Sequence, residues 1–371
     1  MLSLLCLFDI FKTNLIYNFN QMNILITGIG GPTPRSIARS IAKTLPNAKI
    51  YGTDTSRLAL GFYMNGLVDE SIIVPKANEP TYWENIINII ESFKIDIAFV
   101  QPEAEVLEWG RYFKKHGNYP CQVLIPPVDH VEVLMDKAKM ADLLVDTDYI
   151  PKTISITPEL QSLNIVMDKI GYPCWIRASV GSGGLGSLKL EREADLKAWL
   201  YIHKNVPTFT VSEFLPGRHL ANQMLYLNGK LIKNAGLECV NYVMADIAPS
   251  KVTGNTSFGR FLNEEMLLVF CEEVMDYIYR STGVSPHGVY SFDLKEDSNH
   301  NMKVTEINIR HMAYTGIMAK LGFDLIEDSI KFMTSQEKLI KNGHHLFNGE
   351  IFLRDVDIEP IIMKEIDIKA Q

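Results

Sequence analysis

Apolar and polar positions alternate along two neighbouring stretches late in the chain, HGVYSFDLK at residues 287–295 and KVTEINIR at residues 303–310. Successive side chains of a strand point to opposite faces. Tyr290, Phe292 and Leu294 therefore share one face, with Ser291 and Asp293 on the other. In the second stretch Ile307 and Ile309 oppose Glu306, Asn308 and Arg310. The polar residues 297–302 suit a hairpin loop, and registering the two apolar faces sets Asp293 opposite Glu306. Two carboxylates and a carboxamide beside an arginine are costly as bare structure, because like charges repel. A hard cation between them removes that cost, since magnesium prefers oxygen ligands and commonly takes others from a bound phosphate. The bland alternative is a solvated hairpin edge with scattered charges.

The rest of the pattern falls into two textures. From NILITGIGG at residues 23–31, strands alternate with helices: strands at 23–27, 49–54, 71–74, 95–101 and 122–125, helices at 35–45 and 81–93. This predicts a small parallel α/β domain over residues 22–128. Pro126-Pro127 marks a boundary, and residues 129–145 read as one helical linker. Beyond Pro151, short strands joined by glycine loops predict an antiparallel α+β domain over 129–335. It divides into a glycine-loop part at about 146–215 and a metal-hairpin part at about 216–335. A long helix over 264–282 carries Leu267, Leu268, Cys271, Val274, Met275 and Ile278 at helical spacing. A further helix is expected over 323–333, and residues 336–371 read as a peripheral strand and tail.

Composition narrows the function classes. At 371 residues the chain can hold two domains with real cores. A formal charge of −8 argues against nucleic acid as partner, since phosphate backbones are held by basic surfaces. Five scattered cysteines, with no CxxC pair, indicate neither a disulfide framework nor a zinc site, and fit the cytoplasm. MLSLLCLF is too short to span a bilayer, so no membrane association is expected. Residues 1–21 are expected to be an extension before a fold that starts near Met22, the alternative being an amphipathic segment that touches a membrane.

Four further motifs could bear chemistry. Gly28-Ile29-Gly30-Gly31 follows a strand as a dinucleotide turn would, but Pro32 and Pro34 come at once and the third glycine of that fingerprint is missing. A structural or substrate-side turn is the preferred reading. SVGSGGLGS at 179–187 lies between two strands and lacks the GK[ST] ending of a Walker loop. It is either a mobile loop that donates N–H groups to phosphates or a plain surface turn. Arg177, at the end of the preceding strand, and Lys137, in the linker, are candidate phosphate cations. Glu213-Phe214-Leu215-Pro216-Gly217 ends a strand at a proline, exposing main-chain groups that could read an adenine edge.

In this order the parts resemble the ATP-grasp superfamily: a small α/β domain, a linker with Asp-Lys, YPCWIRAS with a glycine loop, SEFLPG, then FD…EINIR. The resemblance covers roughly residues 22–333 and implies a Rossmann-like pre-ATP-grasp domain followed by an α+β ATP-grasp domain. It implies that Lys137 and Arg177 contact ATP phosphates under a loop containing Gly183, Gly184 and Gly186. It further implies that Phe214 and Leu215 present backbone to adenine with Glu213 near the nucleotide, and that Asp293, Glu306 and Asn308 hold Mg2+, or Mn2+ in its place. Arg310 would bind the transferred phosphoryl group or the acyl phosphate. Arginine at 177, where many members have lysine, is similar to carbamoyl-phosphate synthetase large-subunit domains. Two departures stand out: His219 replaces a ribose-binding glutamate, and Ile309 replaces a proline.

The activity implied is that of an ADP-forming carboxylate–amine ligase with small-molecule carboxylate and amine substrates; a homodimer is plausible from the superfamily. The alternatives are phosphorylation of carbamate or bicarbonate, and a non-catalytic ATP-binding module. The carboxylate pocket is expected near Arg310, His311 and Tyr314, with residues 28–35 as its far wall. His311 is read as a structural hydrogen-bonder or a general base. Lys251 and Arg260 belong to a polar segment, 246–260, that is either a substrate loop or an ordinary exposed one.

Overall fold

A computed structural model describes residues 22–159, 161–181, 186–355, 361–364 and 366. Strand β1 (Asn23–Thr27) is almost wholly apolar and buried on both faces, as a central parallel strand must be. It leads through a glycine turn into helix α1 (Pro32–Thr44), followed by β2 (Lys49–Asp54), β3 (Glu70–Ile73), α2 (Tyr82–Phe93), β4 (Ile97–Phe99), α3 (Glu103–His116) and β5 (Gln122–Val123). The strands pair in parallel in the order β3-β2-β1-β4-β5. The order turns back between β1 and β4, and in such sheets ligands bind in the crevice beyond the strand ends at that point. Helix α1 begins three residues before the expected residue 35. Pro32 and Pro34 sit in its first turn, where a missing N–H leaves no bond unmade.

The linker is two helices rather than the single one expected over 129–145. Helix α4 (Val128–Leu134) stops before Asp136, whose carboxylate accepts from the Ala138 N–H at 2.9 Å and caps α5 (Lys137–Leu143). Next come β6 (Thr153–Ile156), α6 (Ser162–Lys169), β7 (Cys174–Ala178), β8 (Leu188–Leu190), α7 (Glu193–Ile202) and β9 (Phe209–Glu213). Their strands form an antiparallel sheet ordered β6-β9-β7-β8. Val166, Leu196 and Leu200 of the two helices pack on Cys174, Ile176, Leu190, Phe209 and Val211.

The larger antiparallel sheet is built from β10 (His219–Leu227), β11 (Lys230–Tyr242), β12 (Thr256–Leu262), β13 (Gly288–Glu296) and β14 (Met302–Asn308). Helix α8 (Glu265–Thr282) interrupts the series and buries Leu267, Cys271, Val274, Met275 and Ile278 against Met224, Tyr290, Phe292 and Leu294. After α9 (Thr315–Lys320) and α10 (Leu325–Met333) come β15 (Gly343–His344), β16 (Glu350–Leu353) and β17 (Ile361–Lys364). Sheet order is β14-β13-β10-β11-β12-β16-β17, with β15 alongside β11. Residues 350–353 are therefore not peripheral, as the stretch 336–371 was expected to be. β16 pairs with β12, Ile351 and Phe352 are fully buried, and a side chain at Gly259 would lie 2.2 Å from the Phe352 ring.

Helices α9 and α10 lie on α1, where a Cβ at Gly316 would fall 2.1 Å from Ser36 Oγ. Ile326, Ile330 and Met333 complete the apolar cluster around Ile37 and Ile41. The parallel domain is thus packed directly on the large sheet. Among the described residues no helix is long and apolar enough to cross a membrane. Residues 1–21 lie outside the described residues.

Candidate active site

The two antiparallel sheets and the strand ends of the parallel sheet enclose a cavity of about 1390 Å³. One wall is the hairpin of β13 and β14. Its register is the one expected, Ser291 against Asn308 and Asp293 against Glu306, with Phe292 and Ile307 turned to the core. The ladder then slips, because Leu294 pairs with Val304 and leaves Thr305 surplus. A surplus residue kinks a strand and frees its backbone groups. Here the Thr305 carbonyl accepts from Arg177 Nη2 at 2.5 Å, while its hydroxyl donates to the Asp293 carbonyl at 3.0 Å.

Four expected residues meet at this point. Asn308 Nδ2 donates to Asp293 Oδ2 at 3.1 Å, and Lys137 Nζ pairs with Glu306 Oε1 at 3.1 Å. Burial, and then the neighbouring Glu306 charge, push the Asp293 carboxyl up to about 7. Arg177 is held below the usual arginine range by its own burial, against the pull of Glu306 and Asp293. Buried carboxylates of this kind are destabilised without added positive charge. Among the described residues no group of three or more His, Cys, Asp or Glu side chains could hold a metal on its own. The donor set is two carboxylates and a carboxamide oxygen, fewer than magnesium requires. That fits an ion that also takes phosphate oxygens and water.

Lys137 is fastened to the glycine loop twice. Its N–H donates to the Ser179 carbonyl at 2.9 Å, and its ammonium to the Gly181 carbonyl at 2.9 Å. Gly186 has a φ of +64°, and its carbonyl accepts from the Trp199 indole at 2.9 Å. Gly183 and Gly184 lie outside the described residues.

Deeper along the cavity stand the strand-end residues. The Glu213 carboxylate accepts from the Lys152 N–H at 2.9 Å, joining β9 to the start of β6. The Phe214 ring lies under Lys189 at 4.4 Å, and Lys295 donates to the Leu215 carbonyl at 3.0 Å. His219 bonds through Nδ1 to the Tyr242 hydroxyl. Burial, then the nearby Lys295, lower it to about 3, so it faces the cavity as a neutral ring at physiological pH.

The opposite wall comes from the parallel domain. Gly28, at φ +66°, ends β1 against Pro102, whose Cγ would lie 2.6 Å from any Cβ at that position. The Gly30 N–H donates to Asp54 at 2.9 Å, so Asp54 secures the turn. That bond fits the structural reading of the glycine turn, and Gly28 and Gly31 also line the cavity. Arg310 reaches this wall, its Nη2 2.9 Å from Glu103 Oε1 at the start of α3. The role of Glu103 was not read from sequence, although QPE at the end of a parallel strand marks such a crevice position.

Three residues read from the sequence take the following positions. His311 is buried beside Phe99 on the core side of the hairpin and does not line the cavity, a position that favours the structural reading; burial lowers it to about 4. Arg260 is on β12, its Nη1 2.6 Å from Glu238 Oε2, so the loop ends before it. Lys251 does stand in the cavity-lining loop, near Asp246.

No family model matches the chain, and no curated protein matches it in sequence. Solved structures do. N5-carboxyaminoimidazole synthetase from Staphylococcus aureus, complexed with ADP, aligns over 90% of this chain and 82% of its own, at 16% identity and a TM-score of 0.69. The chain has the ATP-grasp fold. Carboxyaminoimidazole ribonucleotide synthase from Aspergillus clavatus, complexed with ATP, matches over 90% and 82% at 12% identity and TM-score 0.67. Biotin carboxylase from Campylobacter jejuni, with β,γ-ATP, matches over 90% and 75% at 19% identity and TM-score 0.63. The expected fold class, a parallel α/β domain before an α+β ATP-grasp domain, stands.

Proposed function

We propose that the protein is an ADP-forming ligase that activates a carboxylate with ATP for attack by an amine. The observation that carries this reading is the meeting of Asp293, Glu306 and Asn308 with Lys137 and Arg177 in a cavity between two sheets. The nucleotide complexes of the three similar structures support placing ATP in that cavity. On this reading residues 22–128 form the pre-ATP-grasp domain and residues 129–335 the ATP-grasp domain. Phe214 and Leu215 lie along adenine, with Glu213 and His219 toward the sugar. Gly183, Gly184 and Gly186 belong to the loop over the phosphates. The protein works in the cytoplasm, as a homodimer, on small molecules; Cys121, Cys174, Cys239 and Cys271 are free thiols, in keeping with a reducing compartment.

Asp293, Glu306 and Asn308 would hold Mg2+, which when bound neutralises charge on the phosphate oxygens. A substrate carboxylate oxygen attacks the γ-phosphorus of ATP. The bond from that phosphorus to the β,γ-bridging oxygen breaks, and ADP leaves with the electron pair. The amine lone pair then adds to the acyl carbon, the C–O bond to phosphate breaks, and phosphate and a proton are released. Such transfer asks for positioning and charge neutralisation rather than covalent help. Lys137 and Arg177 supply fixed positive charge on the phosphate side, and Arg310 supplies it on the acceptor side. Closure of the glycine loop would keep water from the acyl phosphate.

The test is ADP release from Mg·ATP over a panel of carboxylates and amines, bicarbonate included. Wild type should respond to one acid–amine pair, and Glu306→Gln should lose roughly 10²–10³ of the rate, about 2.7–4 kcal/mol. Bound ATP with no stimulated ADP release across the panel would favour a binding module instead.

A further inference from the structure

The acceptor side of the cavity carries a charge arrangement that carboxylate activation alone does not call for. Arg310 leaves β14 on the site face, and its Nη1 donates to the His311 carbonyl at 3.2 Å. Its Nη2 meets Glu103 Oε1 at 2.9 Å, and each of the two side chains keeps 17% of its surface exposed. Both line the cavity, so the pair faces the space a ligand would occupy. Beside Glu103 is Gln101, only 5% exposed and also lining the cavity. Its Nε2 donates to the Val100 carbonyl at 3.0 Å, while its Oε1 has no hydrogen-bond partner. A buried acceptor without a donor is an unmet requirement.

Glu103 already neutralises Arg310. A plain carboxylate docking here gains little from the arginine and meets the like charge of Glu103. A ligand that bears an ammonium beside its carboxylate reverses the balance. Its carboxylate faces Arg310, its ammonium faces Glu103, and the four charges alternate in sign. An α-amino acid holds its two charges on adjacent carbons, a spacing comparable to the Arg310–Glu103 contact. The Gln101 Oε1 is itself enclosed, so the contact to the ammonium falls to Glu103.

We propose that the acid activated by this protein is an α-amino acid or a close analogue, with Glu103 selecting for its ammonium group. The proposal rests on the ligase reading above and names the substrate class of that site. Glu103 is then a specificity residue, and the step at the carboxylate is unchanged.

The experiment measures ADP release from Mg·ATP over matched pairs, each α-amino acid against its des-amino acid. Wild type should prefer the amino member of a pair by roughly 10²-fold or more in kcat/KM, as sites built to bond a substrate N–H do. Glu103→Gln keeps the length of the side chain and removes its charge. In that variant the preference should collapse toward unity, mainly through KM, while Mg·ADP affinity stays at the wild-type value. Glu103→Asp, which retains the charge, should restore part of the preference. Equal use of both members by wild type overturns the proposal, as does an equal loss for both members in Glu103→Gln. ADP release with no acid at all, while Mg·ADP binds, overturns the ligase reading beneath it and is distinguishable for that reason.

Discussion

Two lysine–carboxylate pairs in this molecule look alike on paper and stand in opposite settings. Lys137 and Glu306 are 3.1 Å apart at the cavity wall, where Glu306 keeps 23% of its side chain exposed. Lys233 and Asp328 are 2.5 Å apart between β11 and α10, at 10% and 5% exposure. Each member of the core pair has only protein around it, so the two charges are fixed to each other. In the site, Lys137 is also tied to the Ser179 and Gly181 carbonyls, and Glu306 opposes Asp293 across the ladder. There the pair is one part of a larger charge balance with room for a ligand. The lesson is that chemistry of the pair does not separate a structural contact from a functional one. What surrounds it does.

Breaking the core pair should have the largest effect. Asp328→Ala leaves Lys233 buried without its partner and should cost about 3–5 kcal/mol of stability, read as a shift in the urea midpoint. Breaking the site pair should move activity instead. Lys137→Ala should lower kcat/KM for ADP release by roughly 10²–10³, about 2.7–4 kcal/mol at the transition state, with the urea midpoint near wild type. If Lys137→Ala proves the more destabilising of the two, the contrast drawn here is wrong.

A third buried carboxylate sharpens the comparison, because hydroxyls rather than a cation surround it. Glu105 accepts from the Tyr82 hydroxyl at 2.6 Å, and burial pushes its carboxyl up to about 7 despite hydrogen bonds from Tyr82 and Thr27. The folded state therefore binds its proton more tightly than the unfolded state does. Its contribution to stability is fully present below the ordinary glutamate range near 4.5 and is lost as pH rises through about 7. Glu105→Gln cannot titrate, so melting curves of wild type and variant should diverge as pH rises from 5 to about 8, wild type losing more. Parallel curves would place the Glu105 carboxyl in the ordinary range. This is the smallest of the three effects.

Legibility in the sequence follows the same division between local and distant causes. The β13–β14 hairpin could be read because alternation is a local property and its two strands are neighbours in the chain. Asp293 against Glu306 then follows from registering two apolar faces. The split of the linker at Asp136 was less visible, since a capping aspartate and a mid-helix aspartate look alike until the chain turns. Glu103 could be placed at a crevice position but not paired: its partner Arg310 lies 207 residues away, and nothing in QPE says which distant strand end it will meet. The burial of His311 is of the same kind, since the parity that takes Arg310 into the cavity takes its neighbour into the core.

The surplus Thr305 has a further consequence, for insertions and deletions. Val304 and Glu306 are two residues apart and would face the same way on a regular strand, yet one is in the core beside Leu294 and the other in the site. The strand changes phase at that single position. Deleting Thr305 would make Val304 and Glu306 neighbours, which face opposite ways on a regular strand, so both would keep their places beside Leu294 and opposite Asp293. The deletion would instead cost the site the Thr305 carbonyl that accepts from Arg177, so the extra residue serves the cation and not the alternation of the strand.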